Sequence, residues 1–372
     1  MWVALLALAT ATYAGEVRVD VVDVGQGDAI LIRTPAQKTV LIDAGERDDD
    51  IVAKLAALGV DHLDLVVASH PHADHIGSMD AVVRAFPPKV YVDNGMSHTT
   101  QTYESVMSAV ESNPAIGYKE GLRGQVFNLD DGAKLEVLLP GDTRFRETRS
   151  DLNSNSVVVR LTHGDDCFLF TGDAEEPTER ALVDQGIGTC DVLKVAHHGS
   201  NHSSISSFLS ALKPTVAVVS VGAGNRYHHP GDETMARLEA VGTTIYRTDR
   251  DGTVTLVSDG KQIRITTEHS ERGGGVMVSV AGMPGDPSAP ETPGAASTGA
   301  LGRPVVPAQK DPVAPDASEA EACPFPASSR SEVFHESHCG NALRINGTNL
   351  VCYQSKADAE KAGKRSAGCC KP

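Results

Sequence analysis

Three imidazoles and a carboxylate fall within six residues in His70-Pro71-His72-Ala73-Asp74-His75, directly after the apolar run at 63–68. Imidazole nitrogen combined with carboxylate oxygen suits Zn²⁺, with Mn²⁺ or Fe²⁺ as alternatives. A loop leaving a buried strand can turn all four side chains inward, and Gly77 permits a tight entry into the next helix. The competing account is a solvated surface cluster of histidines. With 14 histidines in 372 residues, so dense a pattern is rare by chance.

Other strand ends carry residues of matching type. Phe168-Leu169-Phe170 runs into Thr171-Gly172-Asp173. The Asp173 carboxylate can bridge two cations, or it can simply cap the helix that follows. Residues 192–196 run into His197-His198-Gly199-Ser200. One of these histidines is a ligand and the other touches a ligand or substrate; His197, the first residue past the strand, is the expected ligand. Leu41-Ile42 runs into Asp43, which can accept a hydrogen bond from a ligand imidazole and fix its tautomer. His70 and His72 would hold one metal, Asp74 and His75 the other, with Asp173 between. Two cations about 3.5–4 Å apart can bind a bridging hydroxide near neutral pH and clamp both oxygens of a displacement. Asp74, Lys194 and His229 are the expected catalytic groups, and His229, Lys194 and Asn225 could contact a phosphate. His229 has a second account as a loop-capping residue. His62, His98 and His202 stand outside any motif and read as solvated surface.

To place these residues the chain must alternate strands and helices. Strands are predicted at 17–24, 29–33, 39–43 and 63–68, then at 90–92, 134–139, 157–161, 167–170, 192–196 and 216–221. Helical spacing occurs at 50–58, 77–86, 103–112, 176–184, 204–211 and 233–241. Interleaved strands and helices suggest an α/β fold with sheets covered by helices, where sites collect at the carboxyl ends of strands.

The 40% hydrophobic content allows a core, and the formal charge of -16 argues against a protein that binds nucleic acid over its whole surface. A metal centre can still dominate the field inside a cleft. Residues 1–14 read as a signal peptide, with an apolar run too short to span a bilayer followed by small residues, although the run has no preceding Lys or Arg. A first β-strand is the alternative. Export would place the chain in a secreted or periplasmic setting, where disulfides are permitted. The hydrolase domain would occupy 15–268, and a linker rich in Pro, Gly and Ala would occupy 269–320. A small Cys-rich module would follow at 321–372, holding five of the seven cysteines.

In combination, His70-x-His72-x-Asp74-His75, Asp43-x-Gly45, Thr171-Gly172-Asp173 and His197-His198-Gly199 resemble the metallo-β-lactamase superfamily. Asp23-Val24-Gly25-Gln26-Gly27-Asp28, Asn153-Ser154-Asn155-Ser156, Lys194 to Ser200, and Asn225-x-Tyr227-x-His229-Pro230 resemble its ComEC-type competence branch. The resemblance covers residues 17–267 and implies a four-layer αβ/βα sandwich, two divalent metals (Zn or Mn) and hydrolysis of a phosphodiester or related ester. Many members of the superfamily supply a further His ligand before the bridging carboxylate. This chain has Asn153, Asn155 and Ser156 in that region, so Asn153 and Ser156, like His198, are expected to touch a ligand or the substrate. The C-terminal module resembles the zinc-binding domain of Ada-type repair proteins. His335, Cys339 and Cys370 match three of its ligand positions; the fourth aligns with Ala367, and Cys369 lies two residues later. A structural Zn and a disulfide knot both remain open there.

The function expected from these features is a secreted nuclease or phosphodiesterase acting on DNA. The alternative is a hydrolase of a small or cell-wall ester, such as a phosphocholine ester or lactone, with an adhesive C-terminal module.

Overall fold

The computed structural model describes residues 15–47, 50–130, 132–269, 276–279, 325–328, 333–334, 350–353, 355–362 and 364–366. The proposed signal peptide lies outside the described residues, as do His335, Cys339, Cys369 and Cys370. The chain divides into two compact units at Gly285.

The first unit builds one sheet, then a second, then returns to the first. The opening strands are β1 (Val17–Val21), β2 (Ile30–Arg33), β3 (Thr39–Ile42), β4 (Leu63–Val67), β5 (Pro88–Asp93) and β6 (Gly117–Glu120). Between them come α1 (Ile51–Ala57), α2 (Ala73–Ile76), α3 (Met79–Ala85) and α4 (Gln101–Glu111). The second sheet uses β7 (Val126–Asn128), β8 (Ala133–Leu139), β9 (Val158–His163), β10 (Asp166–Phe170), β11 (Val192–Lys194), β12 (Val216–Val219) and β13 (Thr244–Arg247). Its helices are α5 (Asp151–Ser154), α6 (Glu176–Asp184), α7 (Ser206–Leu212), α8 (Asp232–Ala240) and α9 (Thr248–Asp251). β14 (Val254–Ser258), β15 (Gln262–Thr267) and β16 (Val276–Ser279) then rejoin the first sheet, whose order is β16-β15-β14-β1-β2-β3-β4-β5-β6. The second sheet runs β13-β12-β11-β10-β9-β8-β7.

β3 to β6 pair in parallel, as do β10 to β13, which is what helical crossovers require. A strand in such a sheet is covered on both faces, so β12 reads as a continuous apolar run with every residue buried. β8 alternates buried with more exposed positions. Three apolar layers follow. Val19, Ile32, Val67, Phe168 and Val218 meet between the two sheets. Leu41, Val66, Leu55 and Val82 fill the space between the first sheet and its helices. Leu193, Val219, Phe208 and Leu238 do the same for the second. The result is the four-layer αβ/βα sandwich that the resemblance implied.

The sequence reading passed over β13, β14 and β15, although β14, Val-Thr-Leu-Val-Ser, is buried throughout. β6 is exposed and polar, Gly-Tyr-Lys-Glu, and the sequence reading passed over it. Val276–Ser279, inside the stretch read as linker, pairs with β15 as an edge strand. Cys167 and Cys190 form a disulfide with a Cα–Cα separation of 4.9 Å.

In the second unit, β17 (Phe325–Ser328), β18 (Val333–Phe334), β19 (Leu350–Tyr353) and β20 (Arg365–Ser366) form a four-stranded sheet, in the order β19-β17-β18-β20. α10 (Lys356–Lys361) packs Ala359 against Phe325 and Tyr353. Ser355 caps that helix, and Cys352 is disulfide-bonded.

Gly77 shows why the loop after β4 carries a glycine. Its φ of -56° is one any residue adopts. Room is the constraint: a Cβ there would lie 2.4 Å from Ala73 O and 2.7 Å from both Arg47 N and Glu46 Cα, all backbone atoms. Gly77→Ala is therefore expected to cost about 1–3 kcal/mol of stability by overpacking, read as a lowered urea midpoint at unchanged slope. A midpoint equal to that of the wild type would contradict this account.

Candidate metal centre

The predicted residues gather at the carboxyl ends of β3, β4, β10, β11 and β12. Asp43 follows β3 and adopts a left-handed φ of 58°. That turn aims its carboxylate across to the loop after β4, where it accepts from Ser69 N and Ser69 Oγ, both at 2.7 Å. It also accepts from His75 Nδ1 at 2.8 Å. With Nδ1 so engaged, His75 presents Nε2 to Asp173 Oδ1 at 3.1 Å.

His198 is arranged the same way. Its Nδ1 donates to Ser220 O at 2.9 Å, so Nε2 faces Asp74 Oδ2 at 3.2 Å and Asp173 Oδ1 at 3.5 Å. Among the described residues two compact sets share Asp173, namely Asp74-His75-Asp173-His198 and His70-His72-Asp173, and a third group, Asp28-Asp43-His75, shares His75. His198, rather than the expected His197, joins the Asp74 set, because both histidines adopt left-handed backbone and the second of them turns inward. His70 Nε2 lies 3.0 Å from His72 Nδ1 and 3.8 Å from Asp173 Oδ2.

The donor set fits a divalent cation on an observation independent of family. His75 Nε2, His198 Nε2 and Asp173 Oδ1 are all buried and have no hydrogen-bond partner, yet they converge on one another. Buried polar groups are otherwise almost always satisfied, and a cation at their centre would satisfy all three at once. Electrostatics agrees. Burial works against a charge on His198, but Asp173 and Asp28 outweigh it and push its pKa up to about 10. Burial likewise opposes ionisation of Asp173, yet His75, His197 and His198 hold it well below the carboxylate range. The cluster of carboxylates thus calls for positive charge.

Lys194 is placed differently from the expectation. It is 1% exposed and pairs with the fully buried Asp28, behind the site rather than facing the cavity. A lysine at the end of an interior strand has no route to solvent, so it takes a carboxylate instead. Burial acts to raise the Asp28 carboxyl, but Lys194, His198 and His75 hold it below its ordinary value. Asp28 was missed as a site residue; its place in the Gly25-Gln26-Gly27-Asp28 turn, after an apolar strand, was the available signal. Asn225 organises its loop rather than reaching for a ligand. Its Nδ2 donates to Gly222 O and His229 O, and its Oδ1 accepts from Tyr227 N and His229 N. Ser156 Oγ lies 3.4 Å from His70 Nδ1 and accepts from Asp173 N. His163 bonds Ser258 Oγ on β14 and joins neither ligand set.

A cavity of about 820 Å³ opens over Asp74, Asp173, His72, Asn153, His197 and His198. Arg149, Arg226, His98, His202, His228 and His229 also line it. His98 and His202, read from sequence as solvated surface, line the open cavity, and His202 is exposed there as expected; only the fold brings their loops over the site. Burial, with His197 and His198 nearby, pushes His229 down to about 4, so it is neutral near pH 7.

Two predictions follow from this geometry. Asp43→Ala frees His75 to turn and is expected to weaken metal affinity by about 10–100-fold, measured by competition with a chelator; unchanged affinity would remove Asp43 from that role. Lys194→Met leaves Asp28 buried without its lysine, with only His198 and His75 beside it, and is expected to cost about 3–5 kcal/mol. Adding Asp28→Asn should recover part of that loss in chemical denaturation, and a purely additive double variant would argue against a coupled pair.

The sequence model of the metallo-beta-lactamase superfamily matches residues 22–223, more than half of the chain. Among curated proteins, the chain is 29% identical over 262 residues to ComE operon protein 3 of Bacillus subtilis, covering 65% of this chain and 33% of that one. It is 35% identical over 244 residues to competence protein ComA of Neisseria gonorrhoeae, covering 64% and 32%. The match thus spans about a third of the length of these relatives. Among solved structures it is similar to the metallo-beta-lactamase fold protein YhfI from Bacillus subtilis, with a TM-score of 0.45 and 12% identity over 65% of this chain and 100% of that one. The chain belongs to the metallo-beta-lactamase superfamily, and over its matched residues it is similar to competence proteins of the ComEC type.

Proposed function

We propose that this chain is a metal-dependent hydrolase that cleaves phosphodiester bonds in DNA. The observation that carries the reading is the convergence of partnerless ligand atoms, His75 Nε2, His198 Nε2 and Asp173 Oδ1, below an open cavity whose lining includes Arg149 and Arg226. Two divalent cations, Zn²⁺ or Mn²⁺, would be held by His70, His72, Asp74, His75, Asp173 and His198. Bound there, they would supply a nucleophilic water near neutral pH and neutralise charge on a phosphodiester.

The chain's own side chains account for the rest. Arg149 and Arg226 attract an anionic backbone locally, although the whole chain carries -16. His229 presents a neutral imidazole to the cavity, and Asn225 fixes the loop that carries it. An open cavity lined by Arg149 and Arg226 favours an anionic substrate, and the naming of a relative as a competence protein supports a nucleic-acid substrate. The Cys167–Cys190 disulfide supports action in an oxidising compartment, secreted or periplasmic. The disulfide at Cys352 supports a stapled C-terminal module.

Nicking of supercoiled plasmid by the purified chain tests the reading. Cleavage is expected with added Mn²⁺ or Zn²⁺, lost on chelation, and reduced to the protein-free level in Asp173→Ala. Intact plasmid after incubation with protein shown to contain two metals would overturn the DNA reading in favour of a small ester.

A further inference from the structure

Asp173 divides four imidazoles into two pairs. Its Oδ1 faces His75 Nε2 at 3.1 Å and His198 Nε2 at 3.5 Å. Its Oδ2 faces His70 Nε2 at 3.8 Å and His197 Nε2 at 3.6 Å. The adjacent residues His197 and His198 therefore stand on opposite sides of one carboxylate.

The backbone explains how neighbours achieve this. Both are left-handed, with φ 52° and ψ 43° at His197 and φ 52° and ψ 26° at His198. In a strand, successive side chains would point to opposite faces, and only one could reach the site. A left-handed turn splays them by less, so both can face the same cavity. That conformation is strained for a non-glycine residue, and such strain persists where the surroundings impose it.

The His197 ring has a carboxylate near Nδ1 as well, at ion-pair and not hydrogen-bond range. Its Nδ1 lies 3.5 Å from Glu175 Oε1, a carboxylate only 3% exposed, which leaves Nε2 on the Asp173 side. His75 with Asp43, and His198 with Ser220 O, have a hydrogen-bonded acceptor on Nδ1 and Nε2 turned to Asp173. Outer acceptors of this kind orient ligand histidines.

Resting on the dinuclear reading above, we propose that His197 completes the His70-His72-Asp173 side, so that the adjacent histidines serve different metals. The compact trio His70, His72 and Asp173 has no third imidazole of its own. His197 stands just outside it, and its 16% exposure leaves room for the side-chain rotation that closes the gap. Asn153 is the rival donor: its Nδ2 is 3.5 Å from the His197 ring, and its buried Oδ1 has no hydrogen-bond partner.

Titration of Mn²⁺ or Zn²⁺ against a chromophoric chelator, on the full chain, separates these assignments. Two backgrounds are used: Asp74→Ala, which disables the Asp74 side, and His70→Ala, which disables the other. His197→Asn is the added change, because Asn tolerates a left-handed backbone where Ala is strained. It is expected to weaken the remaining site by at least about tenfold, the loss that even an outer partner can cause, in the Asp74→Ala background. Affinity should stay within about twofold in the His70→Ala background. His197→Gln should behave as His197→Asn does. No change in the first background, or equal loss in both, overturns the proposal. It is also overturned if Asn153→Ala produces the first-background loss while His197→Asn does not. A wild-type chain that binds fewer than two metals overturns the dinuclear reading itself, whereas two metals with an inert His197 overturn only the present assignment.

Discussion

Asp28, Asp43 and Asp173 lie almost wholly out of water at one end of two sheets, with Asp74 half-buried beside them, and the structure around these four is organised to tolerate that charge. Moving an isolated carboxylate into a protein interior costs several kcal/mol even after relaxation. Each of the four is therefore answered. Asp28 has Lys194, and Asp43 has Ser69 and His75. Asp74 and Asp173 have His75, His198, His70 and His197 around them, together with donor atoms that converge without hydrogen bonds. Full neutralisation of that last group calls for divalent cations.

The sandwich makes this concentration possible. Parallel strands β3 to β5 and β10 to β12 all end at the same edge, and each contributes one or two polar residues just past its last apolar one. Because both sheets are packed on both faces, the strand ends move little. The close approach of the Gly27 and Gly77 backbones to the Asp74 loop removes the space in which that loop could shift. Rigidity in the scaffold is what allows two imidazoles and two carboxylates to hold donor atoms within a cation's reach.

Local chemistry accounts for what was legible early. His70-x-His72-x-Asp74-His75 places its ligands within one loop, so its meaning does not depend on the rest of the fold. Asp43 and Asp173 were also readable, since each directly follows an apolar strand. Lys194, His98, His202 and the choice between His197 and His198 were not. Each depends on which way a side chain turns, or on which loops meet, and neither is a property of neighbouring residues. Lys194 follows the same strand-end rule as Asp173 yet points into the interior, because its partner Asp28 is 166 residues away in the chain.

The sequence by itself determined the family, the αβ/βα class and most of the His and Asp residues that gather at the candidate site, because short-range spacing and apolar runs encode strands and the loops that leave them. The tertiary structure alone decided how that inventory is divided. Asp173 separates two sets of imidazoles, a left-handed pair at His197 and His198 sends neighbours to different sides, and Asp28 with Lys194 closes the site from behind. Those outcomes rest on backbone dihedrals and contacts between residues far apart in the chain, which are settled only when both sheets are packed together.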